Sequence, residues 1–341
     1  MFLTEVLAPL GRKDRRYWGG VYLRGLLLEG ERKSAGAMAA RLPDGNEQSL
    51  QQFLNQSPWD WLPLWQQRAA RLERTFSPAV AWIVDDTGFP KKGEHSAGVA
   101  RQYSGTLGKT ANCQIAVSLH RTDAGGSSPL GFCLYLPQEW TDDRERCRAA
   151  GVPEEIGFRP NWQLALGLID QALDWGLAPP PVVLADAAYG EVTAFREELE
   201  ERNLAYAVGI SKALAVWPES PGGAVPNGTG RGRPTKCMRF GGKKPVSVKE
   251  LALAHPKRFR TVTWREGSQG PLASRFWAKR GESAHDWNHG QAPGKEVWLL
   301  VEWPIDEAEP VKYYLCDLPK SMSLQRLVAT ARGRWRVEQD Y

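Results

Sequence analysis

The stretch that decides the fold is Ala79-Val80-Ala81-Trp82-Ile83-Val84, which runs directly into Asp85-Asp86-Thr87-Gly88. An unbroken apolar run that ends in acids and a glycine is typical of a buried strand with carboxylates at its C-terminal end. A second run of this kind, residues 182–185, ends in Asp186. The sequence therefore predicts a sheet edge at which acids from separate strands converge.

The segments on either side of these two runs define the fold class. Residues 88–110 are rich in Gly, Lys and Ser and are expected to be loop, as is the acid- and arginine-rich stretch 142–160. The remaining patterns predict strands at 113–119, 131–136 and 206–210, and helices at 162–175 and 191–200. Three early strands before a helix, a strand and a helix fit a mixed α/β sheet rather than a doubly wound one.

Four segments are predicted along the chain. They are a helical segment at 1–75, a first part of the α/β core at 76–211, a β-rich basic insertion at 212–317, and the start of a final core helix at 318–341. Strand-like runs at 260–264, 274–278, 296–303 and 311–315, separated by Gly- and Pro-rich loops, indicate the insertion. Apolar residues at helical spacing predict that the final helix begins at Leu324.

The segment at residues 1–75 leaves two interpretations open. Short helices around a Gly-containing turn are compatible with a helix-turn-helix that binds DNA. In that case the DNA-facing side chains would be Arg32, Lys33, Arg41, Gln48, Gln51 and Gln52. The alternative is a plain helical bundle.

Composition excludes several classes of protein. The chain has 341 residues, of which 42% are hydrophobic and 24% charged, and these values are ordinary for a globular protein and unlike a disordered, collagen-like or coiled-coil chain. No apolar run approaches the roughly 18–20 residues that span a bilayer. The five cysteines include no Cys-x-x-Cys pair, which argues against a disulfide framework or zinc ribbon. We therefore expect a reduced, cytoplasmic protein that is not associated with a membrane.

Positive charge is concentrated in one window, although the chain as a whole carries a formal net charge of only +5. Residues 227–280 hold fourteen Lys or Arg against two acids. A basic block of this kind favours a polyanion partner, most often nucleic acid, over the alternative of a solvated flexible loop. Within it, Arg231-Gly-Arg233-Pro234 fits an arm that enters the minor groove, or a flexible basic turn.

Three acids stand where a metal site would form. Asp86 and Asp186 end their strands, and Glu338 lies on the late basic helix. Hard carboxylate oxygens suit Mg²⁺, and two such ions can clamp the attacking and leaving oxygens of an in-line phosphoryl displacement. A basic surface nearby would hold the DNA backbone. Strand alternation places Asp85 and Asp86 on opposite faces, and periodicity alone does not decide between them.

Several blocks together carry a family resemblance. They are residues 82–93 (Trp82 to Gly93), 98–109 (Gly98 to Lys109), 112–114, 184–190 (Leu184 to Gly190) and 334–341 (Arg334 to Tyr341). In these blocks the sequence resembles bacterial insertion-sequence transposases of the DDE superfamily, in the branch with a β-strand insertion before the last glutamate. The resemblance extends from about Leu23 to Tyr341. It implies that residues 76–211 and 318–341 belong to an RNase H-like catalytic core and that residues 1–75 bind the DNA ends. It also implies a location in the bacterial nucleoid.

The resemblance also implies the roles of individual residues. Asp86, Asp186 and Glu338 correspond to the three metal-binding catalytic acids, and Arg334 to the arginine four residues before the last acid. Asp86 with Asp186, and Asp86 with Glu338, would each hold one of two Mg²⁺ ions, with Mn²⁺ as a possible substitute. Residues expected to contact DNA are Arg101, Lys109, Arg231, Arg233, Lys236, Lys243, Lys244 and Arg336.

The implied activity is cleavage of transposon ends, followed by attack of the freed 3′-hydroxyl on target DNA. The implied partners are double-stranded DNA, as terminal inverted repeats and target, and a second copy of the chain in a homodimer on that DNA. Two positions depart from the family pattern: its tyrosine is Ala331 here, and its lysine would fall beyond Tyr341. We therefore expect a C-terminally truncated or frameshifted product, and the alternative function is a catalytically inactive remnant that only binds DNA.

Three other features of the sequence give weaker indications of function. Residues 105–110 resemble a phosphate-binding loop, but Tyr103 stands where its first glycine is required. His285 and His289 have zinc-protease spacing, but Asp286 replaces the glutamate and no helical pattern surrounds them. The fifteen tryptophans raise the possibility of a glycosidase that stacks sugars, a function that would not need the basic window.

Overall fold

The chain is described by a computed structural model that covers residues 2–223, 237–267 and 270–340. It divides into two compact units, Met1–Ser77 with Leu173–Leu177, and Pro78–Ala172 with Ala178–Tyr341. The segment boundaries predicted from the sequence stay predictions. In the parts that the structure describes, no helix is long and apolar enough to cross a membrane.

The first unit is built from short helices. They are α1 (Phe2–Val6), a 3-10 turn (Ala8–Leu10), α2 (Lys13–Leu27), α3 (Ala35–Ala39), α4 (Glu47–Asn55) and α5 (Leu62–Thr75). Ser34 caps α3 and Asn46 caps α4, because each side chain accepts a hydrogen bond from a backbone N–H of the first turn. Leu50 and Phe53 anchor the inner face of α4 in the core of this unit. The opposite face of α4 leaves Gln48, Gln51 and Gln52 exposed, and both the helix-turn-helix and the plain helical bundle stay open.

The second unit contains one large mixed sheet. Its strands are β1 (Ala81–Pro90), β2 (Ala100–Ser104), β3 (Lys109–Thr122), β4 (Ser127–Leu134), β5 (Val183–Ala185), β6 (Tyr206–Ile210), β7 (Ala215–Trp217), β8 (Val246–Ser247), β9 (Arg260–Gly267), β10 (Gly270–Ser283), β11 (Glu296–Glu302) and β12 (Lys312–Cys316). Its helices are α6 (Gln138–Asp142), α7 (Arg144–Ala149), α8 (Asn161–Asp174), α9 (Ala187–Gly190), α10 (Thr193–Glu201), α11 (Val248–Leu253) and α12 (Leu324–Ala331). Short 3-10 segments lie at Gly105–Leu107, Pro256–Arg258, Trp287–His289 and Arg332–Gln339.

Strand order confirms the predicted fold class. The sheet runs β2-β3-β1-β5-β6-β12-β11-β10-β7-β8, with β4 on β3 and β9 on β10. Strands β1, β5 and β6 are mutually parallel neighbours, and β3 is antiparallel to β1. This mixed α/β arrangement is consistent with an RNase H-like core. The strands from the basic insertion extend the same sheet, because β12 pairs with β6.

The centre of the sheet explains why the opening stretch of sequence decides the fold. Trp82, Ile83 and Val84 of β1 are completely buried. Strands covered on both faces need apolar side chains on both faces, and this requirement produces an unbroken run rather than an alternation. Helix α12 packs on the same core through Leu327 and Val328. This packing fixes the direction in which the chain continues towards Glu338.

Three local expectations were wrong. The predicted loop at 88–110 contains the end of β1 and all of β2, whose polar residues pair with β3 at the sheet edge. The predicted loop at 142–160 contains α7, whose first turn is capped by Asp143. The predicted final helix is α-helical only to Ala331 and continues as a 3-10 segment, in which Val337 is buried in the core.

Candidate functional site

Asp186 lies at the carboxyl end of β5, where it also caps α9. Its Oδ1 accepts a hydrogen bond of 2.9 Å from the backbone N–H of Ala188. The turn that follows packs tightly against β6, because a Cβ on Gly190 would overlap the carbonyl oxygen of Gly209. A side chain on Gly209 would in turn lie 2.9 Å from the backbone nitrogen of Ala187. These two glycines therefore fix the position of the Asp186 turn.

Asp86 lies at the same end of the sheet, because β1 runs parallel to β5 with Ile83 opposite Leu184. Both of its carboxylate oxygens accept hydrogen bonds. Tyr189 donates its hydroxyl to Oδ1, and Asn161 donates its amide to Oδ2 over 2.9 Å. Burial, with a smaller contribution from the charge of Asp186, raises the pKa of Asp86 to about 6. Burial and the neighbouring Asp86 charge also raise the pKa of Tyr189 well above its usual range.

Asp85 points to the other face of β1 and forms an ion pair with Arg334. The Arg334 Nη1 atom lies 2.9 Å from Oδ2 of Asp85. Burial raises the pKa of Asp85, and the positive charge of Arg334 opposes that rise. This ion pair links β1 to the 3-10 segment that carries Glu338. The tertiary structure thus separates the two adjacent acids that periodicity left unresolved.

A groove of about 410 Å³ lies beside Asp186, between β6, β12 and the segment after α12. We call it the Asp186 groove. The polar and aromatic side chains along it include those of Asp186, Lys312, Arg332, Arg334, Trp335 and Glu338. Acids and cations therefore share one concave surface, an arrangement that suits a phosphodiester together with a metal ion.

The structure brings three of the four predicted catalytic residues into this groove. Asp186, Arg334 and Glu338 line it, whereas Asp86 does not. Asp86 is nevertheless close enough to Asp186 for the two charges to interact. Within residues 2–223, 237–267 and 270–340, no three His, Cys, Asp or Glu side chains lie close enough together to hold one metal ion.

The predicted DNA-contacting residues are spread over the second unit. Arg101 and Lys109 are exposed on β2 and β3, and Lys243 and Lys244 are exposed in the turn before β8. Arg336 donates to the backbone oxygen of Asp123 over 2.5 Å, so it supports the 3-10 segment from the β3–β4 turn. The remaining predicted contacts, Arg231, Arg233 and Lys236, lie outside the described residues.

The sequence analysis missed two cations that line the groove. Arg332 forms an ion pair of 3.0 Å with the buried carboxylate of Glu302 and lies over the ring of Trp264 at 4.6 Å. Lys312 begins β12 at the edge of the groove, and its pKa is lowered first by burial and then by the charge of Arg332. In the sequence, Lys312 is distinguished only by its place near the start of a predicted strand, and Arg332 only by its place six residues before Glu338.

The partners of Asp86 were also missed. Tyr189 belongs to one of the blocks that carry the family resemblance, but nothing in the sequence connects its hydroxyl to Asp86. Asn161 begins α8 and is 75 residues away from Asp86 along the chain. Both contacts depend on how α8 and α9 pack on the sheet.

Comparison with known proteins identifies the family. A sequence model of the family described as DDE superfamily endonuclease matches residues 5–271. The chain therefore belongs to the DDE superfamily endonucleases, and the resemblance seen in the sequence is confirmed. The matched range contains Asp86 and Asp186, whereas Arg334 and Glu338 lie after it.

A curated relative points to the same group of proteins. Over 191 residues the chain is 35% identical to the probable transposase for insertion sequence element IS701 from Microchaete diplosiphon. The match covers 54% of this chain and 46% of that relative. The chain thus spans about half the length of the relative it matches.

Proposed function

We propose that this chain is a DNA transposase that cuts transposon ends and joins the freed strand to target DNA in the Asp186 groove. Its substrates would be double-stranded DNA, as terminal inverted repeats and as target, and two copies of the chain would act as a homodimer on that DNA. Membership of the DDE endonuclease family and similarity to an insertion-sequence transposase support this proposal.

One observation carries the proposal: Asp186 and Glu338, which are 152 positions apart in the sequence, line one groove together with Arg334. Strand β5 delivers the first of these acids, and the segment after α12 delivers the second. Convergence of acids and an arginine from separate elements suits phosphoryl transfer, where cations stabilise the phosphate oxygens and acids hold metal ions.

The chemistry of the donors fits Mg²⁺, with Mn²⁺ as a substitute. Asp86, Asp186 and Glu338 offer carboxylate oxygens, and repulsion between Asp86 and Asp186 is the kind of crowding that a divalent cation relieves. In the proposed site, Asp86 with Asp186 would hold one ion and Asp86 with Glu338 would hold the other. The described residues contain no cluster of three such side chains, so the pairing of Asp86 with Glu338 rests on the family resemblance. When bound, the ions supply Lewis-acid activation of water and of the scissile phosphate.

The protein's own side chains have three tasks in this proposal. Tyr189 and Asn161 orient the Asp86 carboxylate through their hydrogen bonds. Arg334 ties its segment to β1 through Asp85 and presents its remaining N–H groups to the phosphate. The exposed cations of the second unit, together with those of the basic window, hold the DNA backbone without reading its sequence.

Nicking of supercoiled plasmid in Mg²⁺ or Mn²⁺ tests the proposal, alongside gel-shift binding in EDTA. Asp186→Ala and Asp86→Ala should each reduce nicking by at least about a hundredfold. Each change removes a ligand of the metal ions, and those ions would lower the free energy of the transition state by several kcal/mol. Both variants should still bind DNA, because they remove negative charge near the phosphates. Asp306→Asn, an exposed carboxylate in the turn before β12, is the matched control and should behave as wild type.

The outcomes separate the two candidate functions. Nicking by either alanine variant at the wild-type rate would overturn the metal-site assignment. A wild-type chain that binds plasmid but never nicks it, in either metal, would favour a product that only binds DNA. Absence of binding as well as nicking would remove DNA as the substrate.

A further inference from the structure

The two arginines of the Asp186 groove are already neutralised by carboxylates. Arg332 lies 3.0 Å from the Glu302 carboxylate, which is only 4% exposed, and Arg334 lies 2.9 Å from the carboxylate of Asp85. Both acids thus have a partner within the protein. Neither arginine is free to leave its position without stranding a buried charge.

Lys312 differs from these arginines. It faces Glu302 directly across the β11–β12 ladder, but that carboxylate is taken by Arg332. Among the residues that the structure describes, no carboxylate lies within ion-pair distance of the Lys312 amine. Glu302 and Glu338 act on it only from further away, while Arg332 and Arg334 repel it.

Lys312, which is partly open to solvent, completes a cluster of three cations along a groove that also contains Asp186 and Glu338. Two members of the cluster have carboxylate partners, whereas no carboxylate among the described residues offsets the charge of Lys312 within ion-pair distance. An ammonium is a compact point charge with three donors, and the non-bridging oxygens of a phosphodiester are matching acceptors. A DNA strand beside the acids would bring such oxygens to the lysine.

We propose that Lys312 binds a backbone phosphate of the DNA strand in the Asp186 groove and positions that strand against Asp186 and Glu338. This inference rests on the proposed function and deepens it. Lys312 acts as a positioning residue: it holds the substrate, and the reacting atoms are left to the acids and the metal ions. No sequence preference is involved, because the phosphate is the same at every nucleotide.

The test compares Lys312→Met with Lys320→Met in the full chain. Lys320 lies just beyond β12, is 75% exposed and pairs with Glu296, so its replacement removes the same charge outside the groove. Binding of a short labelled duplex of arbitrary sequence is measured over a range of salt concentrations in EDTA. Lys312→Met should lower the magnitude of the log–log salt slope by about 0.9, the value for one lost phosphate contact. Lys320→Met should leave the slope unchanged.

Plasmid nicking supplies the second readout. Lys312→Met should slow nicking by about tenfold at low DNA concentration, as expected for loss of one charge-assisted hydrogen bond. Lys312→Arg should restore most of the rate and the salt slope, because the positive charge returns. Urea unfolding of each variant shows whether it is folded, and the arginine variant keeps the test decisive if Lys312→Met is not.

An unchanged salt slope in Lys312→Met would overturn the proposal, as would Lys312→Arg behaving like Lys312→Met. Failure of the proposed function would give a different result, because the wild-type chain and Lys320→Met would then themselves fail to bind or to nick DNA.

Discussion

Replacement of Asp86 by asparagine should stabilise the second unit at neutral pH. The carboxylate is half-buried, and burial raises its pKa from the ordinary value of 3.8 to about 6. A raised pKa means that the folded state disfavours the ionised form. The wild-type protein therefore loses stability as the pH rises from about 4 to about 6, and the loss persists above that range.

The size of the effect follows from the two pKa values. A difference of one pKa unit corresponds to about 1.4 kcal/mol. The difference between the two pKa values of Asp86 therefore sets an upper limit of about 3 kcal/mol on the change in unfolding free energy. Partial exposure of the side chain allows water to screen the charge, and we expect a gain of about 1–2 kcal/mol for Asp86→Asn near pH 7. Near pH 4 the wild-type carboxyl is largely protonated, and the two proteins should agree within about 0.5 kcal/mol.

The hydrogen bonds at this position survive the substitution. An amide offers one acceptor and two donors, and both partners can adapt to it. The Tyr189 hydroxyl can rotate to accept a hydrogen bond, or the Asn161 amide can turn its oxygen towards the new donor. The change therefore removes a buried charge and keeps a hydrogen bond from position 86 to each of its two partners.

Urea unfolding followed by tryptophan fluorescence, in EDTA at several pH values, measures the effect. Asp306→Asn is the control for loss of a carboxylate at an exposed position, and it should shift stability by no more than about 0.5 kcal/mol. The reasoning is refuted if Asp86→Asn destabilises the protein near pH 7. It is equally refuted if the gain is the same near pH 4, because burial of a charge would then not be its cause.

Three further predictions concern other parts of the molecule. Gly190→Ala should destabilise the second unit by at least about 1–3 kcal/mol in urea unfolding, since the new Cβ overlaps a β6 carbonyl oxygen; an unchanged midpoint would contradict this packing. Glu302→Gln should cost about 3–5 kcal/mol, because it leaves the charge of Arg332 without its buried partner; stability equal to wild type would show that the ion pair is not needed. Replacing Arg231 and Arg233 together by alanine should weaken DNA binding and lower the salt slope by about 1.8, at about 0.9 per phosphate contact; an unchanged slope would place both outside the interface.

The strands of the sheet centre could be predicted from sequence because their burial leaves a local signal. Strands β1 and β5 are covered on both faces, so their apolar runs are unbroken and end at acids. Helix α8 was also found within a residue of its true bounds, because its apolar spacing repeats over a long segment. In each case the pattern is written in consecutive residues.

Strand β2 at the edge of the sheet and the segment after α12 could not be predicted in the same way. Strand β2 is polar and half-exposed, and it exists because β3 offers it a hydrogen-bonding edge. The change from α-helix to 3-10 helix after Ala331 is likewise tertiary: Val337 must reach the core, and Gly333 approaches Leu184 closely. Local propensity does not encode these partners.

The sequence by itself determined the family, the mixed α/β class and the carboxylates that follow two apolar runs, since motifs and apolar runs are local properties. Asp186 follows the end of β5 as expected, whereas β1 continues past Asp86 to Pro90. Only the tertiary structure decided which neighbours those carboxylates have. It brought Asp86 within hydrogen-bond distance of Tyr189 and Asn161, and it paired Asp85 with Arg334. It also left Lys312 beside the groove without an internal partner among the described residues. The physical reason is that charge pairing depends on distances between elements, and those distances exist only once the sheet and its covering helices have packed.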